Sequence, residues 1–232
     1  MRDDWQDPGF ARNWDEGAEV GNPTRARQLD LVTSLVAAEY RAGTSILDLG
    51  AGSGQVDALL LAARPDARIV AVDASPAMLA LAKDRLAEAA SQIDFVLGDF
   101  ARPERIVLPA REYGIALLIQ TLHHVPDDRK RRVLAMLART LSPQGLLILV
   151  DRLSFEDPAL RSVHASMWSW LERRSAVKSG WSADQLFERL AGKGDHTTSL
   201  EQHLTMLREA GFRAACLELQ LNRAVFVGRL DR

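Results

Sequence analysis

Cysteine is nearly absent. Cys216 stands alone among 232 residues, so no disulfide can close within the chain and no cysteine-based zinc site can form. Its setting, Ala214-Ala215-Cys216-Leu217, reads as a strand, and an inert core thiol is expected there. Also missing is any apolar run long enough to cross a bilayer. The opening Met1-Arg2-Asp3-Asp4-Trp5 lacks the apolar region of a secretory leader. Charge of one sign is not in excess either: 29 lysines and arginines face 31 aspartates and glutamates. No global positive field therefore draws in nucleic acid. Repeats and low-complexity segments are absent too. These absences point to a reducing, cytoplasmic setting and a small-molecule partner, with neither nucleic acid nor membrane involved and no metal expected.

What is present is a core. Hydrophobic residues make up 47% of the chain, enough for one sizeable α/β domain. Short apolar runs at 45–49, 68–72, 93–97, 115–119 and 146–150 alternate with helical patterns at 55–63, 76–90 and 127–141. Near-continuous apolar strands suit a sheet buried on both faces, and the alternation implies parallel order. A helix over 25–40 precedes them, with Leu29, Val32, Leu35 and Val36 on one face and Asn22-Pro23 as its start signal. Ser75 caps the helix that opens at Pro76. After Asp151 the rhythm changes to helices and loops until 198. A helix at 200–210 and two strands near 214–219 and 224–227 close the chain. The expected organisation is an N-terminal helical cap over 1–44, a nucleotide-binding core over 45–152, a helical insert over 153–198 and a closing segment over 199–232.

The run Ile46-Leu47-Asp48-Leu49-Gly50-Ala51-Gly52-Ser53-Gly54-Gln55 follows a strand and opens a helix, the context of a nucleotide-binding loop. A dinucleotide fingerprint would need a small third residue where Gln55 stands. The glycines instead alternate, with Asp48 two residues ahead of Gly50. A carboxylate there can orient a ligand's ammonium, and no diphosphate needs cradling. Asp73 ends the second strand, where it can accept both ribose hydroxyls. Asp99 follows the third strand, within reach of an adenine amino group, with Phe100 or Met78 against the ring. Acidic residues at the carboxyl ends of three successive strands mark the crevice where open α/β sheets bind ligands.

The segments 46–54, Ala71-Val72-Asp73-Ala74-Ser75, Leu97-Gly98-Asp99-Phe100 and Leu141-Ser142-Pro143-Gln144-Gly145 resemble the successive motifs of class I (Rossmann-like) S-adenosylmethionine-dependent methyltransferases. The resemblance covers 46–151 and continues more faintly through Leu207 to Phe212. It implies a seven-stranded, mostly parallel, doubly wound sheet with an antiparallel last strand, plus the N-terminal helical segment and the helical insert. It also implies S-adenosylmethionine as cofactor, with S-adenosylhomocysteine as product. Asp48, Gly50, Ala51, Gly52, Asp73, Ala74, Met78, Asp99 and Phe100 inherit cofactor roles from it, and Gln120 would sit near the methionine moiety. The stretch 197–212 is also similar to carboxy-S-adenosylmethionine synthases and tRNA-modifying relatives, which hold an extra carboxylate with an arginine. Arg189 is the candidate for that role, with Glu188 competing for the register. A domain that binds the cofactor without turnover is the alternative from outside the enzymes.

Candidates for chemistry are fewer. His123 and His124 could place a general base beside the methyl group, although packing is the more favoured role for such a pair. Asp195-His196 could form an oriented base, or be loop punctuation before a helix capped by Thr198 or Ser199. Arg25 could hold the cofactor carboxylate. Trp14, Trp168 and Trp181 could line an acceptor pocket. Trp168 and Trp170, two apart, cannot share a helix face, so at least one belongs to the core or to a homodimer contact.

Overall fold

The computed structural model describes residues 4–155 and 157–231. Its centre is a seven-stranded sheet: β1 (Ser45–Leu49), β2 (Ile69–Asp73), β3 (Ile93–Leu97), β4 (Tyr113–Ile119), β5 (Leu141–Arg152), β6 (Phe212–Gln220) and β7 (Arg223–Leu230). The spatial order is β3-β2-β1-β4-β5-β7-β6. All neighbours among the first five strands pair in parallel, while β7 runs antiparallel to both β5 and β6. The seven-stranded sheet with one reversed strand is therefore as the resemblance implied.

Helices cover both faces because successive apolar residues on each strand point opposite ways. Ile46, Ile115 and Ile148 join one apolar cluster with Leu29, Val32 and Val36 of α2 (Arg25–Glu39) and Leu60 of α3 (Gln55–Ala63). Leu47, Leu118 and Leu149 join the other, with Val133 and Leu137 of α5 (Asp127–Thr140) and Met206 and Leu207 of α8 (Leu200–Glu209). Ahead of these lies α1 (Pro8–Glu16), opened by Asp7, whose carboxylate accepts from the Phe10 amide. Ser75 caps α4 (Pro76–Arg85) as expected. The helical pattern expected over 76–90 ends sooner, at Arg85, and passes into a 3₁₀ turn over Ala87–Gln92.

The insert forms α6 (Arg161–Arg174) and α7 (Ala183–Gly192). Its ends are tied together by a parallel bridge between Leu153 and Thr198. Ser199, not Thr198, caps α8, through a reciprocal pair with Gln202. Thr198 turns toward α5 instead, where its hydroxyl donates to Asp127 at 2.9 Å and meets the buried Lys130 ammonium. Cys216 is half-buried on β6, and burial pushes its thiol pKa up, in keeping with an unreactive group. Among the described residues no helix is long and apolar enough to cross a membrane.

Candidate active site

The carboxyl ends of β1, β2 and β4 open into one cavity of about 630 Å³. The loop from β1 to α3 forms its floor. Gly50 takes φ +87°, and a Cβ there would lie 2.3 Å from Thr121 Cγ2, so the glycine is required twice over. Gly52, at φ +58°, has nothing within 4 Å of where its Cβ would be. Its backbone is therefore open to close approach by a ligand. Asp73 braces this loop: its Oδ2 accepts from the Gly52 amide at 2.8 Å and its Oδ1 from the Ser75 amide at 2.8 Å. Each oxygen keeps a lone pair to offer. Burial raises the Asp73 pKa, and the backbone donors oppose that rise.

Asp48 lies on β1, fully buried, and lines the cavity. Behind it stands a residue that the sequence pattern did not single out. Asp57, on α3, is also fully buried, and its carboxyl pKa is pushed up to about 7 by burial. Asp48 is held well above the ordinary carboxylate range by burial and by the charge of Asp57. Two carboxyls sharing a dry site cannot both ionise cheaply, so the pair retains a proton near neutrality. The clue in the sequence was a lone acid in the apolar run Val56-Asp57-Ala58-Leu59-Leu60.

The N-terminal segment closes over the loop. Trp5, Gln6, Trp14 and Arg25 line the cavity. Gln6 Nε2 donates to the Ala74 carbonyl at 3.2 Å, and the Ser75 hydroxyl meets the Trp5 carbonyl. Asp15, another residue missed at the sequence level, is a latch. It accepts from Ser53 Oγ, from Gln55 Nε2 at 2.7 Å and from Arg85 Nη2 at 2.7 Å. Against the upward pull of burial, these donors hold its pKa below the usual value. Arg25 is buried, donates to Gln55 Oε1 at 2.8 Å, and lies 5.8 Å from the Trp14 ring.

Of the other predicted cofactor residues, Ala51, Ala74, Met78, Asp99 and Phe100 all line the same cavity. Asp99 is the most open of the acids, its Oδ1 accepting from the Ala101 amide at 2.9 Å. Gln120 follows β4 with φ +57°, an unusual conformation for a side-chain-bearing residue, and its Nε2 is buried with no partner among the described residues.

The three histidines separate. His123 is buried, with Nδ1 at 2.5 Å from Asp151 Oδ1, and Asp151 Oδ2 lies 3.3 Å from His203 Nε2. Burial drives the His123 pKa down to about 3, so its ring is neutral at physiological pH. Despite burial, His123 and His203 hold Asp151 well below the carboxylate range. His124 is partly exposed in the cavity, with Nδ1 at 3.6 Å from Asp195 Oδ1. The sequence suggests that Asp195 orients its neighbour His196. It pairs instead with His124 and with the Arg152 guanidinium. His196 also lines the cavity, and its amide donates to the His123 carbonyl at 2.7 Å. Potential ligand atoms of His123, His124 and Asp195 lie within 4.8 Å of one another. The Arg152 charge on Asp195 opposes a cation there.

Trp14 and Trp181 face the cavity, but Trp168 does not. It is buried behind Trp181, donating its indole N–H to the Trp181 carbonyl at 3.0 Å, and so supports that residue from outside the pocket. Arg189 lies 4.2 Å from the Trp181 ring and lines the cavity, whereas Glu188, exposed beside it, does not.

Comparison with known proteins agrees with this geometry. A family profile described as "Methyltransferase domain" matches residues 46–145. The carboxy-S-adenosyl-L-methionine synthase of Ectopseudomonas mendocina is 30% identical over 207 residues, which are 83% of this chain and 77% of the relative. The chain belongs to the class I S-adenosylmethionine-dependent methyltransferases. Similar folds include an O-methyltransferase family protein from Burkholderia thailandensis, with TM-score 0.68 and 16% identity over 97% of this chain and 61% of that one. Human N-acetylserotonin methyltransferase in complex with S-adenosylmethionine gives TM-score 0.61 and 17% identity over 98% and 58%. The methyltransferase thus spans about three-fifths of the length of these two structures.

The residues present fit S-adenosylmethionine. Asp48 is a buried carboxyl whose oxygens have no hydrogen-bond partner among the described residues, Asp73 has spare acceptors for a pair of hydroxyls, and the Gly52 backbone is uncovered. Together they provide for an ammonium, a ribose and a close backbone approach.

Proposed function

We propose that the enzyme methylates a small-molecule acceptor held in this cavity, and that His124 takes the acceptor's proton. The observation that carries this reading is the His124–Asp195–Arg152 chain, which places one imidazole in the wall of the same cavity as the glycine loop. S-adenosylmethionine, when bound, supplies an activated methyl group, and displacement at that carbon asks the protein mainly for alignment and exclusion of water. The segment before Asn22 and the insert around Trp181 serve as lids, covering the space and setting which acceptor fits. With Nδ1 turned to Asp195, His124 takes the proton of an acceptor hydroxyl or amine at Nε2. His123 stays neutral and holds the loop. A concave cavity of this size favours a small acceptor over a polymer.

A second reading has a specific observation behind it: the 30% identity to a carboxy-S-adenosyl-L-methionine synthase, together with Arg189 in the cavity wall. One experiment separates the two. The nucleoside retained by the purified enzyme is identified by mass spectrometry, and product formation is followed with a panel of hydroxyl, amine and thiol acceptors. Retained S-adenosylmethionine or S-adenosylhomocysteine with methylated product supports methyl transfer. Retained carboxylated cofactor with no methylated product overturns it in favour of the second reading.

A further inference from the structure

Arg152 and Arg223 are direct partners across the antiparallel β5–β7 ladder, so their side chains leave the same face of the sheet. Both are buried, each with 7% of its surface exposed, and both line the cavity. Like charges directly opposite on neighbouring strands cost stability, and buried cations cost more unless matched. Arg152 is matched by Asp195. Arg223 is not matched in the same way: its Nη1 is buried and donates to nothing among the described residues. Burial, with Arg152 alongside, pulls its pKa down to about 9, and the charge of Asp151 opposes this only partly. Asp151 accepts from His123 and His203, and Arg223 Nη1 makes no hydrogen bond to it.

We infer that Arg223, with Arg152 beside it, forms an anion subsite that binds the carboxylate of the acceptor. The inference rests on the acceptor reading of the cavity and adds the chemical class of the acceptor: a small organic carboxylate that also carries the group to be methylated. The sheet order separates this subsite from the cofactor's own carboxylate. Asp48 and the glycine loop lie on β1, and Arg223 lies three strands away across β4 and β5, about 14 Å at a strand spacing of about 4.8 Å. The mouth of β4, with Gln120 and His124 beyond it, lies between the two. An acceptor anchored at Arg223 can thus present its nucleophile beside His124. In the balanced step the nucleophile's lone pair forms the bond to the methyl carbon. The carbon–sulfur bond breaks with its pair on sulfur, and the acceptor's proton passes to His124 Nε2. The charge of Asp195, next to the pair, favours a monoanionic carboxylate over a phosphate dianion.

The test is calorimetric titration of the S-adenosylhomocysteine-loaded enzyme with benzoate, benzamide and inorganic phosphate, on the wild type, Arg223→Met and Arg223→Lys. Benzoate is expected to bind the wild type more tightly than benzamide or phosphate. Its affinity falls about tenfold or more in Arg223→Met, as for loss of a hydrogen bond between charged groups, and less in Arg223→Lys. Affinity for S-adenosylhomocysteine should stay the same in all three. Arg223→Met should also melt at a higher temperature, because it removes a cross-strand repulsion; a structural arginine would do the reverse. Benzoate binding no better than benzamide, or phosphate binding best, overturns the inference. Parallel loss of S-adenosylhomocysteine affinity in Arg223→Met assigns the residue to the cofactor and overturns it as well. Turnover of neutral acceptors with no preference for carboxylates overturns this inference but leaves the proposed reaction standing. Benzoate binding without turnover of any acceptor overturns the proposed reaction and leaves the subsite.

Discussion

Replacing Asp57 with asparagine isolates the energetic cost of the buried carboxyl pair behind the glycine loop. In the folded protein the Asp57 pKa is raised from 3.8 to about 7, chiefly by burial. Below pH 4 the group is protonated in both folded and unfolded states, and its contribution to stability is fully present. As pH rises, the unfolded chain releases the proton while the folded one keeps it, so this contribution is lost by about pH 7. The spread corresponds to roughly 4 kcal/mol as an upper limit. His123 works in the opposite sense. Its folded pKa is lowered from 6.5 to about 3 by burial, so the stability it confers is present above 6.5 and lost as pH falls toward 3. In the wild type His123 offsets part of the fall due to Asp57 between pH 4 and 6.5, while the raised pKa of Asp48 adds to that fall. The difference between Asp57→Asn and wild type removes His123 from the comparison. Urea unfolding of the cofactor-free protein, followed by tryptophan fluorescence from pH 4.5 to 8, should show the variant gaining on the wild type by up to about 3 kcal/mol across that range. Parallel pH curves for the two proteins would refute the shared-proton account of Asp48 and Asp57.

Other substitutions probe the rest of the site. Asp73→Ala removes a charged acceptor for two hydroxyls and the brace on Gly52. At about 1.5–3 kcal/mol per hydrogen bond to a charged group, S-adenosylhomocysteine affinity should fall about 100-fold or more by calorimetry, and a loss under tenfold would exclude a ribose role. Gly50→Ala places a Cβ 2.3 Å from Thr121 Cγ2 at φ +87°. Its melting temperature should drop, and an unchanged value would contradict the tight packing of that turn. Asp15→Asn loosens the latch on Ser53, Gln55 and Arg85. It should weaken cofactor binding while leaving the melting temperature near that of the wild type, because the contact lies at the edge of the core; equal cofactor affinity would show that α1 does not guard the site.

Much of the fold was legible because burial on both faces leaves a plain mark. Five apolar runs alternating with helices are hard to read as anything but a parallel sheet, and Gln120 could be placed after β4 on that basis alone. The end of α4 was harder, since Leu86 and Ala87 have no helix-breaking chemistry and the turn that follows is set by packing. The cofactor residues were legible because glycines and acids at strand ends carry their chemistry in local sequence. Trp168 was not, because its spacing to Trp170 shows that the two differ but not that Trp168 is buried behind Trp181 and that neither lines the cavity.

The sequence by itself determined the order of strands and helices, the positions of Asp48, Asp73 and Asp99, and the glycine loop, since each depends on residues within a few positions of one another. Only the tertiary structure decided the pairings at long range: Asp57 behind Asp48, Asp15 on Ser53, Asp195 on His124 rather than His196, and Arg152 beside Arg223. Arg152 and Arg223 are 71 positions apart and become neighbours through strand register. A register of that kind is set by the whole sheet, and no local pattern carries it.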